Sequence, residues 1–245
     1  MPESDLVQAA PAVASSKGLS IRGLWEVFTK PTSFFTELAR SPKILVPFLV
    51  LLVLAAGFHA ASLPLSLHST SEINQEFMNS PQLSAEQRSQ MAEQMKPNPI
   101  TSYISSVAAR LVVPLVIAAL ALFWGNFVFA GKGAFNQTFS IALYGEILYV
   151  VGEWVRLPLM LAKEDYFTNL SLAPIFAGLG KTNFLYLFSS IFSVFHIWEL
   201  VVLAIGFAIV FGVTKAKSGL IAVLSCWILS VLQVLTIWIM FSMFS

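Results

Sequence analysis

Long apolar runs separated by shorter polar stretches organise this chain. Crossing a bilayer as a helix takes roughly 20 apolar residues. Runs of that length lie at 44–65, 107–130, 138–162, within 184–213 and at 219–244. The fourth run, FLYLFSSIFSVFHIWELVVLAIGFAIVFGV, would be about 45 Å long as one helix, longer than the roughly 30 Å hydrocarbon layer. The pattern predicts a single crossing there, with its first two turns at the interface and a bend marked by Ser189, Ser190 and Ser193. No turn signal divides the run into two spans. The predicted fold class is therefore all-α: a polytopic membrane protein with five transmembrane helices over residues 44–245 and an outer polar loop at 66–106.

Ahead of the first run, IRGLWEVFTKPTSFFTELARSP has helical rather than spanning periodicity. Ile21, Leu24, Trp25 and Phe28 recur on one face, and Pro31 suits the first turn of a second short helix that carries Phe34, Phe35 and Leu38. Arg22, Lys30, Arg40 and Lys43 flank these apolar side chains. Residues 19–43 thus read as an interfacial amphipathic segment, aromatics in the lipid and cations at the headgroups. Trp25, Phe28, Lys30, Pro31, Phe34 and Phe35 would form the surface offered to the bilayer or to a partner. Residues 1–18 are small, polar and rich in Pro, Ala and Ser, and read as a disordered tail rather than a signal peptide. In the 66–106 loop, Ser84 and Gln87 fit a capping box for a surface helix that Pro97 would stop.

Composition agrees. The chain is 57% hydrophobic and 11% charged, with 21 phenylalanines and six tryptophans, against about 25% charged residues in soluble domains. A net charge of +1 gives no basic field for nucleic acid. Cys226 is the only cysteine, so neither an internal disulfide nor any Cys-based zinc site is expected; with only His59, His68 and His196, a histidine-only metal site is equally unsupported. Eight basic residues fall on the side of the N-terminus, mostly in short segments beside spans, and six on the other. The positive-inside tendency then places the N-terminus in the cytoplasm and the C-terminus outside.

The third run carries Glu146, Tyr149, Glu153 and Arg156, whose spacings keep them on one helical face. Such a stripe faces protein or a water-filled cavity, not lipid. From the cytoplasmic edges of their spans, Glu153 lies about 22 Å deep and Glu199 about 24 Å, with Arg156 and His196 near 27–29 Å. The third and fourth spans are therefore expected to be neighbours, with Arg156 in reach of Glu153 or Glu199 and no cation evident for Glu146. His196 and Glu199 share a helix face, yet no further ligand is apparent for a metal. Trp198 should point elsewhere, against a neighbouring span. Ala204, Ala208 and Gly212 form a small-xxx-small ladder suited to close helix packing.

No HExxH, GxSxG or P-loop occurs, and GLGKTNF at 178–184 lacks the upstream glycine of a nucleotide loop. No catalytic residue, cofactor or metal is expected, and the protein reads as a non-enzyme.

Three segments carry a resemblance. VFTKPTSFFTELARSPK places a proline and aromatics before the first span. GKGAFNQTFSIALYGEIL has a Gly…Phe-x-x-x-Phe loop leading into the third. VFHIWELVVLAIGFAIVFGVTKAKSG joins a Phe-x-x-Trp helix to a Lys-x-Lys connection. In order and spacing the chain resembles the YIP family of Ypt/Rab-interacting-protein-like membrane proteins, in its bacterial form; the charged third span, GEIL after Tyr144, departs from the family's usual serine or proline. The resemblance implies no catalytic residues. The absence of catalytic motifs beside two amphipathic surfaces, 19–43 and the outer loop, points to an inner-membrane scaffold or accessory protein that engages the lipid bilayer and other membrane proteins, and the resemblance implies an ABC-type exporter among the candidate partners. The polar stripe keeps a second expectation open, a small transporter or proton/ion conductor using Glu146, Glu153 and Glu199.

Overall fold

A computed structural model describes residues 21–78, 84, 86, 88–90, 96–168, 170–180 and 183–242. These residues form helices throughout, with one isolated bridge, Ser171 to Ser193. The predicted tail 1–18, and Gln87 of the proposed capping box, lie outside the described residues.

Two short helices open the fold, α1 (Ile21–Thr29) and α2 (Pro31–Arg40), with Pro31 at the start of α2 as the sequence suggests. Long helices follow: α3 (Leu45–Met78), α4 (Pro99–Leu122, continued by a π-helical turn Phe123–Val128) and α5 (Phe135–Lys163). A 3₁₀ turn (Ala173–Leu179) and the short α6 (Phe184–Ser190) lead into α7 (Val194–Phe211) and α8 (Lys215–Ser242).

Among the described residues, four helices are long and apolar enough to cross a membrane: Leu45–Glu72, Pro99–Val128, Val194–Phe211 and Lys215–Ile239. The helix of the third apolar run, α5, is set apart by its charged residues. It occupies the centre of the bundle, packed against α3, α4 and α7, and its segment Thr138–Leu148 is buried without interruption. An all-round buried helix takes apolar side chains on every face, and here those faces are Ile141, Leu143, Ile147 and Leu148.

The predicted outer loop at 66–106 is largely helical at both ends. α3 runs on to Met78 and α4 starts at Pro99. Asn98 sets that start: its side chain accepts hydrogen bonds from the Ile100 and Thr101 backbone N–H groups, and Pro99 follows at the position where no N–H is needed. Polarity marked the loop in the sequence, but a helix that leaves the membrane becomes polar without ending.

The predicted bend in the fourth run is present. Residues 191–193 separate α6 from α7, and the Ser193 hydroxyl caps α7 by accepting from the His196 N–H at 3.2 Å.

Residues 21–43 of the predicted interfacial segment are bound to protein more than the sequence implied. Val27 and Phe35 are fully buried and Leu38 nearly so. The Phe34 ring meets the Tyr144 ring edge-on at 4.8 Å. Gln137 Nε2 donates to the Ala39 carbonyl at 2.8 Å and the Ser140 hydroxyl to the Lys43 carbonyl at 2.7 Å, so α5 also holds the link from α2 to α3.

Candidate functional site

A cavity of about 370 Å³ opens between α4, α5, α7 and α8, closed over in part by the connection after α5 and by α6. Every residue of the predicted polar stripe lines it: Glu146, Tyr149, Glu153 and Arg156 from α5, His196 and Glu199 from α7. Arg110 from α4 and Cys226 from α8 join them.

Two ion pairs order the stripe. Arg156 pairs with Glu153 one turn away on the same helix at 2.5 Å, and its other nitrogen donates to the Thr168 carbonyl at 3.3 Å. Arg156 thus ties α5 to the following loop and pairs with Glu153 rather than with Glu199. Arg110 donates to Glu146 at 2.8 Å, which joins α4 to α5. Glu146 is 2% exposed, so the partner guanidinium is what makes an ionised carboxylate tolerable at that depth. Apolarity alone marks this span from residue 107, which sets Arg110 at the membrane edge and leaves Glu146 without an evident cation. With α4 starting at Pro99, Arg110 lies eleven residues inside the helix.

Aromatic rings fill the space between the charges. The Arg110 guanidinium lies 4.6 Å from the centroid of the Tyr149 ring, a cation–π contact. The Tyr149 ring also meets the His196 ring, centroids 5.6 Å apart and nearly perpendicular. Between α5 and α7 the seam is thus joined by the Tyr149–His196 ring contact, and among the described residues an ion pair joins α4 to α5. Beyond α5, Tyr166 closes the cavity with its ring 5.8 Å from Arg156, and burial holds its hydroxyl above the ordinary pKa, so the ring stays a neutral phenol.

At the base of the cavity, His196, Glu199 and Cys226 come together. The His196 Nε2 is 3.4 Å from Cys226 Sγ, all three residues are buried, and their ligating atoms lie within 4.8 Å of one another. The sequence did carry a signal for this meeting. α7 and α8 are joined by a short connection, and Glu199 lies thirteen residues before Gly212 while Cys226 lies fourteen after it. In an antiparallel hairpin, equal distances from the turn mean equal heights.

Other predicted positions fall elsewhere. Trp198 is 36% exposed on the outer surface of α7, where a neighbouring span was expected. Trp25 is 67% exposed, Lys30 is exposed, and Phe28, Pro31 and Phe34 are partly covered. Ala204 packs against the core, but Gly212 does not serve close packing: it ends α7 at φ +64°, with open space where a Cβ would stand. Close approach occurs at Gly206, where a Cβ would come within 2.6 Å of Ile141, and at Gly152, within 2.5 Å of Phe195 Cβ.

The fold defines an all-helical integral membrane protein with apolar outer helices around a charged interior. The sequence model of the Yip1 domain matches residues 25–237, and the chain belongs to that family. No curated protein and no solved structure matched it.

Proposed function

We propose that this Yip1-family protein crosses the membrane five times, with α5 as the central span, and works without chemistry of its own as a scaffold or accessory subunit for other membrane proteins. An ABC-type exporter in a bacterial inner membrane is the partner class the family resemblance favours, with the N-terminus cytoplasmic and the C-terminus outside. The observation that carries this reading is the α1–α2 arm. Its inner face is anchored by Val27, Phe35 and Leu38, so its outer face, with Trp25 and Lys30, is held in a fixed position. A large aromatic ring on a preorganised surface is among the features that contribute most to protein–protein contacts, and a neighbouring cation adds electrostatic complementarity. The test is purification after mild solubilisation, with wild type and a Trp25→Ala/Lys30→Glu variant side by side. A membrane protein should copurify in stoichiometric amount with wild type and be depleted with the variant. A wild-type protein that is reproducibly solitary counts against the reading.

A second reading, transport of a small ion or protons, is favoured by the cavity and its carboxylates. It requires a flux in reconstituted vesicles that Glu199→Gln alters; equal fluxes remove it.

A further inference from the structure

We propose that His196, Glu199 and Cys226 form a binding site for a Zn²⁺-class divalent ion at the base of the intramembrane cavity. The donor set is an imidazole nitrogen, a carboxylate oxygen and a thiol sulfur. This mixture suits borderline-soft first-row ions and is poorly matched to Mg²⁺ or Ca²⁺, which take all-oxygen sites.

The geometry is close to that of a ligated ion. With zinc–ligand bonds of roughly 2.0–2.3 Å, the edges of a ligand tetrahedron are about 3.3–3.8 Å long. His196 Nε2 and Cys226 Sγ are already 3.4 Å apart, and the ligating atoms of all three residues lie within 4.8 Å of one another. Adjustment of the Glu199 and Cys226 side chains by fractions of an ångström to about one ångström brings all three edges into that range. Two of the ligands come from one turn of α7, whose start is fixed by the Ser193 cap, and the third from α8, so the site is built on helices and not on loops.

A second observation is independent of the clustering. Glu199 is 2% exposed, and its Oε1 is buried with no hydrogen-bond partner. An orphaned carboxylate oxygen in a membrane interior is costly. The cations that could relieve it are otherwise committed: Arg110 to Glu146, and Arg156 to Glu153. Because those pairs are each neutral, Glu199 and a Cys226 thiolate together match a divalent ion, and the thiol proton leaves to cavity water as the ion binds. Three protein ligands leave a fourth position, facing the cavity, for water or an exchanging ligand. The binding proposal does not rest on transport: it is read at equilibrium, without flux, and either can fail alone.

The test uses the full chain, tag removed and metal-stripped, in detergent or nanodiscs, titrated with Co²⁺ as the spectroscopic probe and with Zn²⁺ in competition. One Co²⁺ per chain should bind, with a near-ultraviolet thiolate-to-cobalt band and the visible absorption of a four-coordinate ion. Cys226 is the only cysteine, so the charge-transfer band reports this site alone. Cys226→Ser should abolish the band, and Glu199→Gln and His196→Ala should each weaken binding at least about tenfold, while His68→Gln, at an exposed position outside the cavity, leaves it within about twofold. Variants that elute as aggregates are replaced by His196→Gln and Glu199→Asp, for which the wild-type spectrum should shift or weaken. Absence of stoichiometric Co²⁺ and Zn²⁺ binding by the wild type overturns the proposal, as does a cobalt spectrum that Cys226→Ser leaves unchanged.

Discussion

Arg110 and Glu146 illustrate how a charge is kept inside this bundle. Their 2.8 Å contact joins two helices, and the Tyr149 ring covers the guanidinium. Removing one partner leaves the other charge buried and alone, which is far more costly than removing both. Arg110→Ala is expected to destabilise the protein by about 3 kcal/mol, whereas Arg110→Met combined with Glu146→Leu recovers most of that loss. Thermal unfolding of the purified variants in one detergent checks both; equal stability of Arg110→Ala and wild type would mean that water or lipid headgroups already solvate Glu146. The stripe itself was legible from Glu146, Tyr149, Glu153 and Arg156, because residues on one helix announce their shared face by spacing alone. The partners from α4 and α8 were harder, since their heights depend on where each helix starts. Arg110 was placed at a membrane edge by a helix start eight residues too late. Cys226 needed the α7–α8 turn to be used as a ruler.

At the scale of elements, α5 and α7 approach closely because small residues alternate with large ones across their contact. Ile141 enters the space over Gly206, Leu203 that over Gly145, and Phe195 that over Gly152. Without lipid-excluding hydrophobic pressure between spans, such fitting is a main source of helix association in membranes. Gly206→Val therefore forces the helices apart and should cost about 1–3 kcal/mol, with loss of the Tyr149–His196 ring contact further along the same seam. Gly212→Asn should cost only a few tenths of a kcal/mol, since Asn tolerates the left-handed conformation and no neighbour crowds it. Denaturant titration of the two variants separates these roles, and a Gly212→Asn loss as large as that of Gly206→Val would contradict them. Sequence alone gave the two glycines no such ranking. The ladder Ala204–Ala208–Gly212 has the right period, but which small residue meets a neighbour depends on the rotation of α7, which its capping by Ser193 and its contacts with Ile141 and Leu203 decide.

For the molecule as a whole, the question is whether α5 crosses the membrane. Its composition argues against, with three charged side chains in its central half; its position argues for. α5 is 29 residues long, about 43 Å at helical rise, and it packs along α3, α4 and α7 rather than across their ends. Glu153 and Arg156 neutralise each other, and Glu146 is neutralised by α4, so none of the three presents an uncompensated charge to lipid. A helix of that length, shielded by its neighbours and carrying no net charge on its buried face, could run through the layer with them at little electrostatic cost, which is the physical case for the proposal. The proposed fifth crossing then has a consequence at the chain ends: an odd number of spans puts the termini on opposite sides, whereas four would put them on the same side. Single cysteines placed at Ser4 or Ser245 in a Cys226→Ser background, probed in sealed right-side-out vesicles with a membrane-impermeant maleimide, distinguish the two. The cysteine at 245 should react before lysis and the one at 4 only after it. Equal protection, or equal labelling, of both would return α5 to a re-entrant position and leave four crossings.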